Sequence, residues 1–392
     1  MDYDYIIAGA GAAGLSLAYH LGQSALSEHT ILLIDPNHTR RNDRTWCFWE
    51  VGNGPFEAVV SRRWDHLWLY DERWSARLAI APYQYKLIQG IDFYQFVDDW
   101  IAHRPQITRL YGNVERFIEL PDGVAVVVGD KTYTARFGFN SVYRPVPAPP
   151  GYHAWLQHFK GWVITTPRPV FDANAATFMD FRIPQVGDVR FGYVLPFDAH
   201  TALVEYTIFS PQLVSQAEYE AGLQRYIAEQ LGIERYEITH VEYGVIPMSD
   251  VPLPLRPSPH VLNIGTAGGM SKPSTGYTFQ RIQWQTRQIV ESLLKNGHPF
   301  YPQPRFNRHA WMDSVLLNVL DAGRTPGHRF FANLFRHNPI QRVLRFLDEE
   351  TTLADDLALM ATVELMPFIT AAVAVVWGRF SALGRRELEM GS

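Results

Sequence analysis

The chain has 392 residues, 47% hydrophobic and 19% charged, with a formal net charge of −5. That is enough apolar material for a sizeable core and too little charge for a disordered chain, and the length suggests two or three domains or one large α/β unit with insertions. No basic tract appears, so nucleic acid is excluded as a partner, and the single cysteine, Cys47, excludes a disulfide within the chain. No secretory signal pattern opens the sequence, no apolar run reaches the roughly 18–20 residues of a membrane-spanning helix, and the histidines show no metal-ligand spacing. Aromatic residues make up 14%, with 11 Trp, which fits a large apolar cavity, an interfacial surface or simply a Trp-rich core.

The N-terminus, YDYIIAGAGAAGLSLAYHLGQ, starts with a short apolar strand over 5–8. Gly9, Gly11 and Gly14 follow with G-x-G-x-x-G spacing, and a helical pattern runs from Ala13 to Leu21. A second apolar run, TILLID, ends in Asp35, about twenty residues on. This is the dinucleotide-binding βαβ arrangement. Gly9 permits the tight turn, Gly11 lets a pyrophosphate approach the backbone, and Gly14 allows close helix–strand packing. Ala12 and Ala13 open the helix whose N-terminus favours phosphate charge. Asp35 would accept ribose hydroxyls. In RNDRTWCFWE, Arg44 is a candidate for phosphate or adenine, Trp46 and Trp49 for a pocket wall, and Cys47 reads as a packed small residue.

Residues 51–110 carry mixed aromatic patterns, and Val124–Val128 suggests a small β-meander ending at the proline-rich RPVPAPP. Residues 151–250 read as mostly β, interrupted by one helix, SQAEYEAGLQRYIAEQLG. Within them TALVEYTIFS, 201–210, is a strand with both faces apolar. Alternation puts Glu205 with Leu203, Thr207 and Phe209, and Val204, Tyr206 and Ile208 opposite. A lone buried carboxylate is costly, so Glu205 is either a hydrogen-bonded structural group or a working acid. Asp180, in ATFMDFR, is either a second acid or a partner for Arg182. Trp155, Trp162, Phe178, Phe181, Tyr193 and Phe197 are candidates for a cavity lining or for core packing. Residues 251–300 hold HVLNIGTAGGMSKPSTGYTFQRIQ, a strand, a glycine-rich turn and a helix. Residues 301–392 read as mainly helical. Their apolar segment Leu365–Trp377 is either a buried core helix or a segment resting in one leaflet, with Trp377, Arg379, Arg385 and Arg386 beside it.

The turn around Gly265, Thr266, Lys272, Pro273, Ser274, Thr275 and Gly276 resembles the second FAD motif of the two-dinucleotide-binding flavoproteins, with Thr266 where the usual acid stands. DRTWCFWE, PYQYKLIQGIDFY, ATFMDFR, GYVLP, ALVEYT, GVIPM and GTAGGMSKPSTGYTF follow in order. Together they resemble the bacterial, FAD-dependent lycopene β-cyclases. The resemblance implies an α/β fold: a Rossmann-type FAD-binding domain from residues 1–150 and 251–300, an inserted β-rich substrate domain at 151–250, and a helical region at 301–392. It implies redox-neutral cyclisation of lycopene, by way of γ-carotene, with Glu205 as the family's carboxylate. Reduced FAD would stabilise the carbocation, and NAD(P)H would be a reductant that is not consumed stoichiometrically. It also implies a substrate drawn from the lipid bilayer and a peripheral position on the cytoplasmic side of the membrane. Competing expectations are a flavin-dependent hydroxylase or desaturase, and a carotenoid-binding flavoprotein without catalysis.

Overall fold

β1 (Tyr3–Ala8), α1 (Ala12–Gly22) and β2 (Ile31–Asp35) open the chain as a βαβ unit, the second strand parallel to the first. The computed structural model describes residues 1–390. Four of the six β1 residues are buried, as befits a central strand covered on both faces. β3 (Thr45–Val51), β4 (Arg62–Trp64), β5 (His66–Asp71), β6 (Trp74–Ala79) and β7 (Tyr83–Gln89) follow, then α2 (Gly90–Ala102). β8 (Ile107–Tyr111) and the meander β9 (Val114–Leu120), β10 (Gly123–Val128) and β11 (Lys131–Asn140) close this part of the chain. Next come β12 (Ala154–Thr165), β13 (Ala175–Asp180), β14 (Val189–Pro196), β15 (Thr201–Ser210), α3 (Gln216–Arg225) and β16 (Glu237–Ser249). β17 (Val261–Asn263) precedes six helices: α4 (Phe279–Asn296), α5 (Arg308–Asp321), α6 (Gly327–His337), α7 (Ile340–Leu347), α8 (Leu353–Met360) and α9 (Leu365–Met390).

Two seven-stranded sheets organise the molecule. The first has the order β8-β2-β1-β11-β10-β9, with β17 added parallel to β11. That addition returns residues 261–263 to the N-terminal sheet, so the 251–300 segment joins the first 140 residues in one layer. The second sheet runs β16-β12-β15-β14-β13-β5-β6. β3, β7 and β4 form a small third sheet. The boundary expected at residue 150 needs one correction: β5 and β6 leave the N-terminal stretch and extend the second sheet, β5 pairing parallel to β13.

One face of the second sheet packs on α6 and α7. Phe178, Phe191 and Phe209 meet Phe331 and Phe335 there in the largest apolar cluster. Each such side chain, fully buried, is worth about 1.5–3 kcal/mol. The other face is covered by α3, through Tyr206, Ile208, Tyr219, Leu223 and Tyr226. α9 packs Ala371 and Val375 inward, with Ala371 against Val315 and Val319 of α5. Arg379 fastens it, its Nη2 donating to Asp250 (2.8 Å) and Ser314 (2.7 Å).

Candidate functional site

A cavity of about 1020 Å³ runs from the N-terminal glycine turn to the aromatic cluster of the second sheet. At its first end the three glycines have different environments. Gly9 has φ +93°, and a Cβ there would stand 2.2 Å from Ser141 Oγ. A Cβ on Gly14 would stand 1.9 Å from the Gly9 carbonyl oxygen. A Cβ on Gly11 would meet nothing within 4 Å, and Gly11 lines the cavity with Ala12 and Ala13. Two glycines therefore shape the turn, and the third leaves room for a ligand. α1 begins here with no side-chain cap and no acid in its first turn, so its N-terminal N–H groups suit an anion. Asp35 lines the same cavity, accepting from Ala10 N–H (2.7 Å) and Asn37 N–H (2.8 Å). Arg44 lines it too. Arg40, not anticipated, reaches in to donate to the Ala10 carbonyl (3.0 Å) and pairs with Asp98.

The second glycine segment forms the middle of the wall. Gly265 has φ +60°, and a Cβ there would lie 2.6 Å from Ala13 Cβ, so this turn sits directly on α1. Thr266 opens a run of neutral hydroxyls, Thr266–Ser271 (3.4 Å) and Ser271–Thr278 (2.9 Å), all three facing the cavity. Thr275 and Gly276 also line it. Lys272 does not. Its ammonium is buried and bonded to Asp313 (3.0 Å) and Glu349 (3.1 Å), which compensate its charge. It ties the turn to α5 and the α7–α8 link. Pro273 faces a smaller adjacent cavity and Ser274 is buried outside the wall, so these three residues position the turn from behind. Gln157 Oε1 and Thr207 Oγ1 are buried without a partner among the described residues, and both residues line the large cavity. Polar groups of a bound molecule would satisfy them. Glycine turn, open helix end, Asp35 and these orphaned atoms fit a dinucleotide cofactor such as FAD.

The far end is acidic and aromatic. Tyr193, Glu205, Gly161 and Glu242 stand in register across β14, β15, β12 and β16. All but Gly161 carry a side chain that lines the cavity. Glu205 lies over the gap that Gly161 leaves: a Cβ on Gly161 would be 2.9 Å from Glu205 Cγ. Burial, then the nearby Glu242, hold the Glu205 carboxyl well above the usual carboxylate range, and no donor among the described residues opposes them. Glu242 is also raised by burial, but Thr45 donates to it through its N–H (2.9 Å) and its hydroxyl (2.6 Å). Beside the pair, Tyr85 bonds both Tyr193 and Tyr277, and burial pushes the neighbouring Cys47 thiol far up, which removes it as a nucleophile.

Asp180 is corrected as a cavity acid. It is fully buried away from the cavity wall, paired with Arg182 (2.6 Å) and accepting from Tyr226 (3.0 Å). The acid that does line the cavity beside Glu205 is Glu242, which lies 37 residues further along the chain and is brought there through Gly161 of β12. An acid inside an otherwise apolar strand, VEYGVIPM, was the available signal. Of the eight aromatics proposed from sequence, Trp46, Phe178 and Tyr193 line the cavity, and Trp49 instead donates to Asp348. Trp162 faces α3 on the opposite side, and Trp155 donates to Asp321. Phe181 and Phe197 belong to the core around the cavity without lining it. Phe159, Phe191, Phe209, Phe331 and Phe335 complete the wall.

The sequence model of the lycopene cyclase protein family matches residues 4–373. A lycopene beta-cyclase of Pseudescherichia vulneris is 24% identical over 372 residues, covering 90% of this chain and 92% of that protein. A chloroplastic/chromoplastic lycopene beta cyclase of Capsicum annuum is 27% identical over 326 residues, covering 74% of this chain. The chain spans about three fifths of the length of the plant relatives it matches. In fold it is similar to a flavoprotein/dehydrogenase from Cytophaga hutchinsonii, with a TM-score of 0.60 at 13% identity, over 96% of this chain and all of that one.

Proposed function

This chain belongs to the lycopene cyclase family, and we propose that it closes the linear ends of lycopene into β-rings, by way of γ-carotene, with no net redox change. The observation that carries this reading is Glu205: a buried carboxyl without a donor among the described residues, at the aromatic end of a cavity that is continuous with the dinucleotide turn. Cyclisation of a polyene end needs a proton source, a dry apolar surround and an environment that tolerates a cation.

Glu205 in its protonated form gives its proton to C2 of the end group, leaving a cation at C1. The C5–C6 double bond supplies the electron pair for the new C1–C6 bond, which closes the ring and leaves the cation at C5, and loss of the C6 proton restores the C5–C6 double bond. Phe178, Phe191, Phe209, Phe331 and Phe335 exclude water, which would otherwise trap the cation, and offer it their ring faces. Tyr193, held by Tyr85, stands next to Glu205 in the cross-strand row and fixes that end of the pocket. FAD, held by the glycine turn, Asp35, Arg44 and the Thr266–Gly276 segment, would supply negative charge beside the cation when reduced. NAD(P)H would serve only to reduce it.

The substrate would come from a bilayer. Leu365, Met366, Ile369, Val373, Val376, Trp377 and Phe380 form one exposed stripe along α9, at 47–76% exposure, with Leu353 and Leu357 of α8 also exposed. Among the described residues no single helix is long and apolar enough to cross a membrane; α8 and α9 form a pair bent by 119°. Such a bent apolar pair suits one leaflet. Phe330 of α6 packs on Phe368 of α9 (5.2 Å), and the next residue, Phe331, lines the cavity, so the stripe and the pocket share a scaffold. Arg379, expected at the membrane, points inward to Asp250 instead. The side chains of Arg385 and Arg386 lie outside the described residues.

The test is anaerobic incubation with lycopene vesicles and chemically reduced FAD, following pigment and flavin together. The proposal expects bicyclic product of unchanged mass over many turnovers while the flavin stays reduced. Flavin oxidised in step with product would identify a redox enzyme, and lycopene returned unchanged would identify a binding protein.

A further inference from the structure

We infer that Glu242 is the ionised counterpart of Glu205 and accepts the proton that leaves C6. This rests on the cyclase reading and adds a residue to it.

The geometry comes from one row of the sheet. Glu205 and Glu242 flank Gly161 on either side of β12, two strand spacings or about 10 Å apart along the row, on one face and in one cavity. Gly161 adds no side chain between them, and Glu205 leans over the space it leaves. The two carboxyls differ in what they touch. Glu205 has no donor among the described residues, and burial favours its neutral form. Glu242 receives two donors from Thr45, which favour its charge. Arg44 from the same segment and His240 on its own strand act in the same direction. Burial opposes the charge on both, and each disfavours ionisation of the other. Cys47, Tyr85, Tyr193 and Tyr277 also stand beside the pair, and burial keeps all four protonated. A pair with one neutral and one charged member is the arrangement that lets acid and base act in the same turnover.

The step balances without a co-reactant. The C6–H bond breaks, its electron pair forms the ring C5=C6 double bond, and the proton goes to a Glu242 carboxylate oxygen. Glu205, now a carboxylate, recovers a proton from Glu242 across the Gly161 gap. One proton enters the polyene and one leaves.

The experiment compares Glu242→Gln, Thr45→Val and Glu205→Gln as flavin-loaded full chains, reading rate, ring type and the pH profile on reduced flavin. Glu242→Gln is expected to slow β-ring formation by roughly 10²–10⁴-fold. It should lose the acid limb of the profile and raise the share of rings formed by loss of a different proton. Thr45→Val removes one of the donors that favour the charged form, so the acid limb should move to higher pH. A Glu242→Gln enzyme with wild-type rate, ring type and acid limb would overturn the inference. If Glu242→Gln fails to retain flavin, Thr45→Val decides: an unmoved acid limb overturns the inference, and an upward shift sustains it. Full activity in Glu205→Gln would instead remove Glu205 as the proton donor this inference is paired with, and a parent protein that returns lycopene unchanged would sink the cyclase reading beneath it.

Discussion

The two faces of the second sheet bury polar groups in opposite ways. On the face under α3, His158 is bonded to Ser210 (2.8 Å) and to Tyr219. Arg190 is bonded to Asp188, Glu218 and Tyr206. Asp180 has Arg182 and Tyr226. On the cavity face, among the described residues, Glu205 has no donor and Gln157 Oε1 and Thr207 Oγ1 have no partner. The first pattern is what a stable interior requires. The second costs stability and is expected where a ligand completes the set. Asp180 and Glu205 are thus two buried acids of one sheet in different surroundings, the first bonded to Arg182 and Tyr226, the second without a donor among the described residues.

The sharpest way to break this contrast is to neutralise each acid in turn. Glu205→Gln should lower turnover by roughly 10²–10⁴-fold while flavin content and melting temperature hold or rise. Asp180→Asn should cost about 1–3 kcal/mol by weakening the Arg182 and Tyr226 bonds, with activity per folded molecule kept. Urea unfolding and turnover on the same preparations check both, and exchanged phenotypes would end the distinction.

The next effect concerns the gap between the acids. Gly161→Ala places a Cβ 2.9 Å from both Glu205 Cγ and Leu203 Cδ1. Pushing these aside should cost about 1–3 kcal/mol and displace Glu205, so kcat should fall more than KM rises. A third effect lies outside the sheet. Trp377 and Phe380 are 76% and 74% exposed, so replacing both with Ser should leave folding intact. Vesicle co-sedimentation should weaken at least roughly tenfold, since each side chain buried in lipid is worth about 1.5–3 kcal/mol.

The smallest effect concerns an intermediate case. Asp348 has a single donor, the Trp49 indole N–H, and burial pushes its carboxyl up to about 7. Its folded pKa lies above the unfolded value, so the native state retains a proton that the unfolded chain has lost. Stability should therefore fall as pH rises from the unfolded carboxylate range toward 7. Asp348→Asn should melt higher than the parent at pH 8 and close to it at pH 4, in paired thermal scans.

Much of this was legible in the chain itself. TALVEYTIFS coincides with β15 from Thr201 to Ser210, and its alternation sorts Thr207 and Phe209 to the cavity and Val204, Tyr206 and Ile208 to the covered face. The glycine turn was equally readable, because its spacing encodes local backbone geometry. Glu242 was not, since its closeness to Glu205 arises from two non-local strand pairings through β12. The capture of β5 and β6 by the second sheet is non-local in the same sense. Lys272 shows a different limit: turn chemistry was visible in KPSTGY, but the destination of a long cationic side chain depends on acids 41 and 77 residues away.

The central claim is that Glu205 stands protonated at neutral pH in a cavity that offers it no donor. Infrared difference spectra of the parent and Glu205→Gln proteins, titrated from pH 5 to 9 with reduced flavin bound, test it directly. The account predicts a protonated-carboxyl carbonyl band that persists above pH 7 in the parent and is missing from the variant. A parent spectrum with only ionised carboxylate at pH 7, or a band that survives in Glu205→Gln unchanged, would contradict it.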